Sequence, residues 1–350
     1  MDNNRETKNR INPFSMHINP ALFERASDDE KQELVVMRKS TSLWRDAMRR
    51  FRKNTFAMIA LVLLVILILF AFVGPLFMPY DYDQFNKGEE NQGPVIETED
   101  GQSVFNQAHP FGTDKWGRDL LVRNMYGTQI SLSVGILAAL LTVIIGSIYG
   151  SVSGFVGGKV DNAMMRIIDI IYSLPDLLIV ILLTVTLKQP LEKLLENSAI
   201  FKGLSNLGPA FFSMLIVFAL LYWGTMARIV RSEVLRIKEQ EYILAARALG
   251  ASRSKIIRKH ILPNCVGPLI VTATLQIPAA IFTESFLSFI GLGISIPMAS
   301  LGSMVTEALE GIYSYPTRML FPAMMIGIII LTFNTIGDAL RDVLDPRMKK

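Results

Sequence analysis

The stretch "AMIALVLLVILILFAFVGPLFM", residues Ala57–Met78, contains no charged side chain. About 20 apolar residues, each rising about 1.5 Å along a helix, cross the hydrocarbon layer of a bilayer, which is about 30 Å thick. The stretch therefore predicts a transmembrane helix within residues 55–78. It also sets the fold class, because backbone polar groups inside a bilayer have to be satisfied within helices or closed barrels.

Five further apolar stretches follow it, in a chain of 350 residues of which 51% are hydrophobic. The sequence thus predicts an all-α, polytopic membrane protein with six transmembrane helices surrounded by membrane lipid. The five later spans are predicted near Ile130–Phe155, Ala163–Leu187, Pro209–Ala227, Val266–Phe286 and Leu320–Ile336.

Charge is distributed unevenly between these spans. Residues 1–54 contain eight acidic and twelve basic side chains, whereas residues 79–128 contain nine acidic and four basic ones. Because Lys and Arg accumulate on the cytoplasmic side of membrane proteins, we expect residues 1–54 inside and residues 79–128 outside. Six spans return the tail 338–350 to the inside. The net charge of +4 follows from this bias, so no nucleic-acid partner is predicted.

The end of the N-terminal tail has two interpretations that the sequence leaves open. Apolar residues at helical spacing alternate with arginines, which is typical of an interfacial helix on the inner leaflet. A solvated tail that ends in a basic cluster explains the same residues equally well. The apolar residues are Leu43, Trp44, Ala47, Met48 and Phe51.

Residues 129–337 are predicted to form a five-helix core. Within its first helix, Gly146, Gly150 and Gly154 recur at every fourth position. Small residues at this spacing let two helix backbones approach closely, so we predict that they pack against another helix. A direct role in a substrate path is the less favoured alternative.

Three acidic residues fall within predicted spans, namely Asp169, Asp176 and Glu284. Ionisable residues in membranes are candidates for a transport pathway. Structural pairing is an equally good explanation, since Arg166 lies three residues before Asp169 on the same helix face. Glu284 is predicted either to face a water-filled vestibule or to brace the packed helices, and Pro175 predicts a kink.

Motifs of catalysis and of metal binding are missing from the sequence. The segment "SGFVGGKV" departs from a phosphate-binding loop at both ends, with Ser153 and Val160 in place of the required residues. The three histidines have no metal-ligand spacing, and the lone Cys265 excludes an internal disulfide. We therefore predict no catalytic residue, no metal site and no bound cofactor, and we expect any ATP hydrolysis in another chain.

The loop between the fourth and fifth spans contains "EYILAARALGASRSKIIRKHILPN", residues Glu241–Asn264. With nine basic and three acidic side chains, residues 228–263 are predicted to lie inside. Ala245 and Ala246 leave one face of a short helix open to close docking, and Gly250 predicts a left-handed cap. A second helical stretch would run to Pro263. This arrangement predicts a rigid projection that passes motion from a cytoplasmic partner to two spans.

This loop resembles the signature of permease subunits of ATP-binding-cassette importers, which reads Glu-Ala-Ala, three residues, Gly, nine residues and Ile-x-Leu-Pro. Leu244 replaces its glutamate and His260 its isoleucine, while Glu241 stands one turn earlier. The matching residues are Ala245, Ala246, Gly250, Leu262 and Pro263.

Further stretches resemble the C-type permeases of the oligopeptide, dipeptide and nickel group. They are "HPFGTDKWGRDLLVRNMYGTQISLSVG" (His109–Gly135), "ARALGASRSKIIRKHILPN" (Ala246–Asn264), "ESFLSFIGLG" (Glu284–Gly293) and "GDALRDVLDPR" (Gly337–Arg347). The resemblance covers residue 109 to the end, and the first span also suits the group.

The resemblance implies a type I importer fold in a bacterial inner membrane. It implies a heterodimer with a homologous second permease, two ATPase subunits that bind ATP-Mg, and an extracytoplasmic substrate-binding protein. The cargo would be peptides, nickel or another small solute; an ion-gradient-driven transporter using the intramembrane acids is the alternative from another class. The residues that the resemblance assigns to coupling with the ATPase are Glu241, Ala245, Ala246, Arg247 and Gly250, with Leu262 and Pro263 at the base of the projection.

Overall fold

A computed structural model of the chain describes residues 43–97, 102–197, 208–294 and 298–344. The larger of its two compact units begins at Ala47. Helix α1 (Leu43–Lys53) precedes α2 (Thr55–Phe72). The side chain of Phe51 is buried against the start of α2, so this segment is not a wholly solvated tail. Residues 1–42 of the predicted tail lie outside the described residues.

The first span is shorter than predicted because proline ends it. Asn54 caps α2 by accepting a hydrogen bond from the Ala57 amide at 3.2 Å. The helix ends at Phe72, and Gly74–Phe77 form a tight 3-10 turn that contains Pro75. Proline has no amide hydrogen to donate and favours such a turn over a continued helix.

Helix α3 (Leu120–Val156) begins ten residues before the predicted second span. Asp119 caps it, since its carboxylate accepts a hydrogen bond from the Val122 amide at 2.8 Å. The charged residue Arg123 in its first turn is buried, which is why the start resembled a polar loop. Before it, strands β1 (Val95–Glu97) and β2 (Ser103–Phe105) form an antiparallel pair.

The predicted third span is two helices rather than one. Helix α4 (Gly158–Tyr172) and helix α5 (Asp176–Asn197) meet at an angle of 83°. The break falls at residues 173–175 and ends with Pro175, which disfavours the helical conformation of the residue before it. The sequence predicted a kink here, and the structure has a complete break.

The fourth span is α6 (Gly208–Leu221) followed by α7 (Trp223–Ile237). Beyond α7 lies the projecting helix α8 (Glu241–Ala248). The chain then enters α9 (Arg253–Ile256), a π-turn over Ile257–Ile261, and α10 (Leu262–Phe289). These three segments are continuous, so the fifth span begins near Arg253 and Pro263 does not interrupt it.

A short helix that the sequence did not predict, α11 (Leu301–Leu309), precedes the last helix, α12 (Thr317–Leu344). Ser300 and Ser303 form a capping box at its start. Helix α12 extends beyond the predicted sixth span at both ends. It therefore includes residues 338–344, which were expected in the C-terminal tail.

The helices pack around α3, which contacts α2, α6, α7 and α10. Within the described residues, five helical stretches are long and apolar enough to cross a membrane, and the bent pair α4–α5 makes a sixth. One end of the bundle carries the α7–α8–α9 connection, residues 238–252, and is called the loop face. The opposite end carries α11 and the described part of residues 79–119, and is called the cap face.

Candidate functional site

Helix α8 ends in the left-handed cap that the sequence predicted. Gly250 has a φ of +80°, a conformation that costs little without a Cβ atom. The Ala251 amide donates to the Ala246 carbonyl and the Gly250 amide to the Arg247 carbonyl, each at 3.0 Å. This pair of hydrogen bonds is a Schellman motif, and it reverses the chain within two residues.

One side chain anchors α8 to the bundle. Ile243 is fully buried in an apolar cluster with Val234 and Ile237 of α7 and with Ile256 and Ile261 at the start of the fifth span. These elements flank α8 on both sides in the sequence. One packed cluster therefore joins α8 to both spans.

The rest of α8 is open to solvent in this chain. Leu249 is 88% exposed, Leu244 50% and Tyr242 45%. Of the residues assigned to coupling, Glu241, Ala245, Arg247 and Gly250 are exposed and Ala246 is half-buried. An apolar surface of this kind on a projecting helix is typical of a docking site.

Two side-chain contacts fix α8 against its neighbours. The Arg247 guanidinium lies over the Phe155 ring of α3, at 5.6 Å from its centroid. The Asn264 amide nitrogen is within 3.3 Å of the Tyr242 hydroxyl. Leu262 and Pro263 stand directly before Asn264 in the first turn of α10, where Leu262 is half-buried and Pro263 exposed.

The three stripe glycines lie against α7. A Cβ atom added at Gly146 would stand 2.6 Å from Met226 Cβ, and one at Gly154 would stand 2.9 Å from the Arg231 carbonyl. A Cβ atom at Gly150 would overlap the Ala227 carbonyl. The structure thus places this stripe at a close contact between helix backbones.

Charged side chains connect α7 to the α3–α4 turn near the loop face. Arg231 donates two hydrogen bonds to the Asp161 carboxylate, at 2.5 and 2.6 Å, and the Ser153 hydroxyl donates a third at 2.5 Å. Lys238 donates to the Gly154 carbonyl at 3.1 Å. These bonds tie α3, α4 and α7 together beside α8.

The predicted pairing of Asp169 with Arg166 is wrong. Asp169 instead accepts a hydrogen bond at 2.9 Å from Arg228 of α7, which is 59 positions away. Side chains three residues apart on one helix can reach each other, but here Asp169 bonds to Arg228 on the neighbouring helix α7. Asp176 begins α5 and lines a cavity beside the break between α4 and α5.

Glu284 braces packed helices and does not face a vestibule in this chain. Its side chain has no exposed surface. It accepts hydrogen bonds from Ser131 of α3 at 2.8 Å and from Ser288, one turn further along α10, at 2.9 Å. Ser300, the cap of α11, in turn donates to Ser288 at 3.2 Å. The carboxyl group therefore joins three helices near the cap face.

The cap face contains a buried ionic cluster that the sequence reading missed. Arg118 and Arg123 both bond to Asp114 at 2.6 Å and to Glu307 of α11 at 2.7 and 2.8 Å. Nearby, His109 lies between Asp119 at 2.6 Å and Glu89 at 3.1 Å. The four-residue spacing of Asp114 and Arg118 was a usable signal, whereas Glu307 is far away in the sequence.

Titratable groups do not gather into a metal site in the part of the chain that the structure describes. No three His, Cys, Asp or Glu side chains there are placed to hold an ion. Cys265 is buried in the apolar cluster below α8.

Comparison with known proteins gives matches over most of the chain. Residues 142–350 match the family described as binding-protein-dependent transport system inner membrane component. Residues 42–94 match the N-terminal TM domain of oligopeptide transport permease C.

Curated relatives and one solved structure are also similar. The oligopeptide transport system permease protein OppC of Bacillus subtilis is 44% identical and covers 94% of this chain and 98% of its own length. The dipeptide permease DppC of the same organism is 42% identical, covering 90% and 89%. OppC of Escherichia coli K12 is 41% identical, covering 87% and 92%. A chain of the inward-facing MetNI methionine ABC transporter has a TM-score of 0.48 at 21% identity, covering 64% of this chain and 96% of its own.

Proposed function

We propose that this chain is the C-type permease subunit of an ATP-driven importer of oligopeptides or dipeptides. The premise is that the chain belongs to the family of binding-protein-dependent transport system inner membrane components. Membership and the helical spans confirm an all-α permease and a multi-pass location in the membrane, and we propose the type I arrangement for it. It also confirms a transport subunit, not an enzyme, that belongs to a transport system with further components. We propose that other subunits of this system supply the ATPase activity.

Peptide cargo is supported by the names of the relatives, which are oligopeptide and dipeptide permeases at 41–44% identity. We propose that this chain forms half of the pathway and that a homologous second permease forms the other half. A substrate-binding protein would dock on the cap face, outside the cell. The loop face and both chain termini would be cytoplasmic.

The observation that carries the proposal is the anchored but exposed helix α8. Leu244 of α8 and Leu249 directly after α8 would seat in a groove of an ATPase subunit, with Glu241 and Arg247 at the edges. Two ATPase subunits would bind ATP-Mg and hydrolyse it. Closure of the pair on ATP would move α8, and the buried Ile243 would pass this motion to α7 and α10.

The ionic ties of α7 extend the moving unit. Because Arg231 holds Asp161 and Lys238 holds Gly154, α3 and α4 would follow α7. The tightly packed glycine stripe would keep α3 and α7 in register while α8 moves. A rigid unit of this kind suits alternating access, in which helices rock about a central site.

The test replaces Gly250 with leucine in the reconstituted complex. A side chain at φ +80° strains the backbone by about 1–2 kcal/mol, which shifts or loosens the cap of α8. We expect ATP-dependent peptide uptake to fall severalfold while ATP turnover and the amount of complex in the membrane are retained.

The matched control is Gly88→Leu on the cap face. Gly88 has a φ of +91°, and neither glycine has atoms within 4 Å of an added Cβ, so the two variants differ mainly in location. The ratio of peptide uptake to ATP turnover is expected to stay at the unmodified level in the control, because weaker docking of the binding protein on the cap face would lower both rates together. An unchanged ratio in the Gly250 variant, or an equal fall of the ratio in both variants, would contradict the proposed coupling.

A further inference from the structure

A complete break between two helices and a one-residue break within a span lie side by side near half depth in the bundle. The one-residue break is Tyr222, which lies between α6 and α7 in a single 30-residue span. The break between α4 and α5, residues 173–175, lies beside it, because both line one cavity. Gln276, in the middle of α10, donates to the Tyr222 carbonyl at 3.3 Å, which places this level midway along a third helix.

The cavity between the breaks has a volume of about 240 Å³. This is below the range of about 300–1,000 Å³ for pockets that take a drug-sized ligand. It therefore suits one end of an extended molecule better than a whole one. Its lining is apolar apart from one carboxylate and two tyrosines: Ile171, Tyr172, Leu174, Asp176, Leu221 and Tyr222 are among its residues.

The charge of Asp176 is not matched by a cation within the described residues. One oxygen, Oδ1, accepts a hydrogen bond from the Leu177 amide at 2.8 Å. The other oxygen, Oδ2, has no hydrogen-bond partner among them. Arg228, which lies 5.2 Å from the Tyr172 ring centroid, is already paired with Asp169 at 2.9 Å.

The backbone and the carboxylate of this cavity are not suited to direct contact with lipid. Exposed non-helical backbone at membrane depth is found only against protein or along a water-filled cavity. An intramembrane carboxylate likewise faces the interior of an assembly or an aqueous path. Residues 173–176 are all exposed in the isolated chain, so they face either the second subunit or the pathway.

We propose that this cavity is a subsite of the pathway that receives the terminal ammonium group of a peptide. The inference rests on the proposed function. Asp176 Oδ2 supplies the negative charge, and the ring of Tyr222 supplies a face that attracts cations, whereas Arg228 already lies over the ring of Tyr172. A peptide with a free amino terminus fits the size and the sign of the site, whereas an N-acetylated peptide lacks the charge.

The first experiment measures the charge preference of the cavity in the assembled transporter. Cys265→Ala removes the native thiol, and Leu174→Cys, at a lining position that is 54% exposed, introduces a reporter. Methanethiosulfonate reagents with an ammonium or a sulfonate group then label the introduced thiol in membrane vesicles. We expect the cationic reagent to react severalfold faster, trialanine to slow it, and N-acetyl-trialanine to leave it unchanged.

Asp176→Asn should abolish this preference, and the matched control Asp338→Asn should retain it, because Asp338 is an exposed acid of α12 that does not line the cavity. A thiol that neither reagent reaches would overturn the inference, since the cavity would then be sealed by protein. A preference that survives Asp176→Asn would also overturn it.

The second experiment measures ATP-dependent trialanine uptake. Asp176→Asn should lower uptake about tenfold, the effect of losing one hydrogen bond between charged groups, with the amount of complex unchanged. Equal uptake, or a loss explained by failed assembly, counts against the subsite. If the unmodified transporter takes up neither trialanine nor shorter or longer peptides, the proposed function itself fails, and the labelling result shows separately whether the cavity prefers a cation.

Discussion

The two faces of the bundle are stabilised by different contacts. On the cap face, Arg118 and Arg123 are no more than 2% exposed and share two acidic partners, so the charges are matched within this chain. On the loop face, α8 buries a single side chain, Ile243, and leaves Leu244 and the following Leu249 open to solvent. The comparison teaches that the buried charges of the cap face find their partners within this chain, whereas α8 leaves an apolar surface that a partner can cover.

The largest expected effect comes from disrupting the buried ionic cluster of the cap face. Arg123→Ala removes a buried cation from between Asp114 and Glu307 and leaves their charges poorly matched. We expect the free energy of unfolding in mixed detergent micelles to fall by about 3–5 kcal/mol. The control is Arg236→Ala, which breaks an exposed pair with Glu233 and should cost at most about 1 kcal/mol. Similar losses in both would mean that burial of the cluster contributes nothing special.

A smaller effect tests packing next to the loop face. Gly150→Ala forces a methyl group toward the Ala227 carbonyl and should lower the free energy of unfolding by about 1–3 kcal/mol. Gly327→Ala is the matched control, because Gly327 lies within helix α12 and has no atom within 4 Å of an added Cβ. It should be neutral or stabilise by up to about 1 kcal/mol through helix propensity. A stable Gly150 variant would show that the helices can separate without cost.

The smallest effect on stability concerns α8 itself. Leu249→Ser changes a side chain that is 88% exposed, so unfolding should shift by no more than about 0.5 kcal/mol. Copurification with the ATPase subunits should nevertheless fall about tenfold, since burying a leucine contributes about 1.5–3 kcal/mol. Leu309→Ser, on a leucine of the cap face that is 41% exposed, is the control and should copurify normally. Normal copurification of the Leu249 variant would exclude this leucine from the docking surface.

Sequence reasoning succeeded where the cause of a structure is local. The cap at Gly250 follows from the backbone freedom of one residue, and the structure has it. The apolar spans follow from their composition, and their number agrees with the structure when the pair α4–α5 is counted as one. The approach of the stripe glycines to α7 likewise follows from their spacing.

Sequence reasoning failed where the cause lies in a distant contact. The start of α3 resembled a polar loop because Arg123 finds Glu307 only after folding, 184 positions away. The hydroxyl that Ser131 offers to Glu284 comes from another helix, 153 positions away, so the environment of this acid could not be read locally. The break of 83° at Pro175 exceeds what a proline alone requires, since its angle depends on the packing of both halves.

The π-turn at Ile257–Ile261 determines the direction in which α8 points. A π-turn accommodates one residue more than a regular helical turn, and each residue advances an α-helix by about 100°. Loss of that single residue would rotate everything before it by more than a quarter of a turn relative to α10. The number of residues in this turn therefore sets the direction of α8 relative to α10.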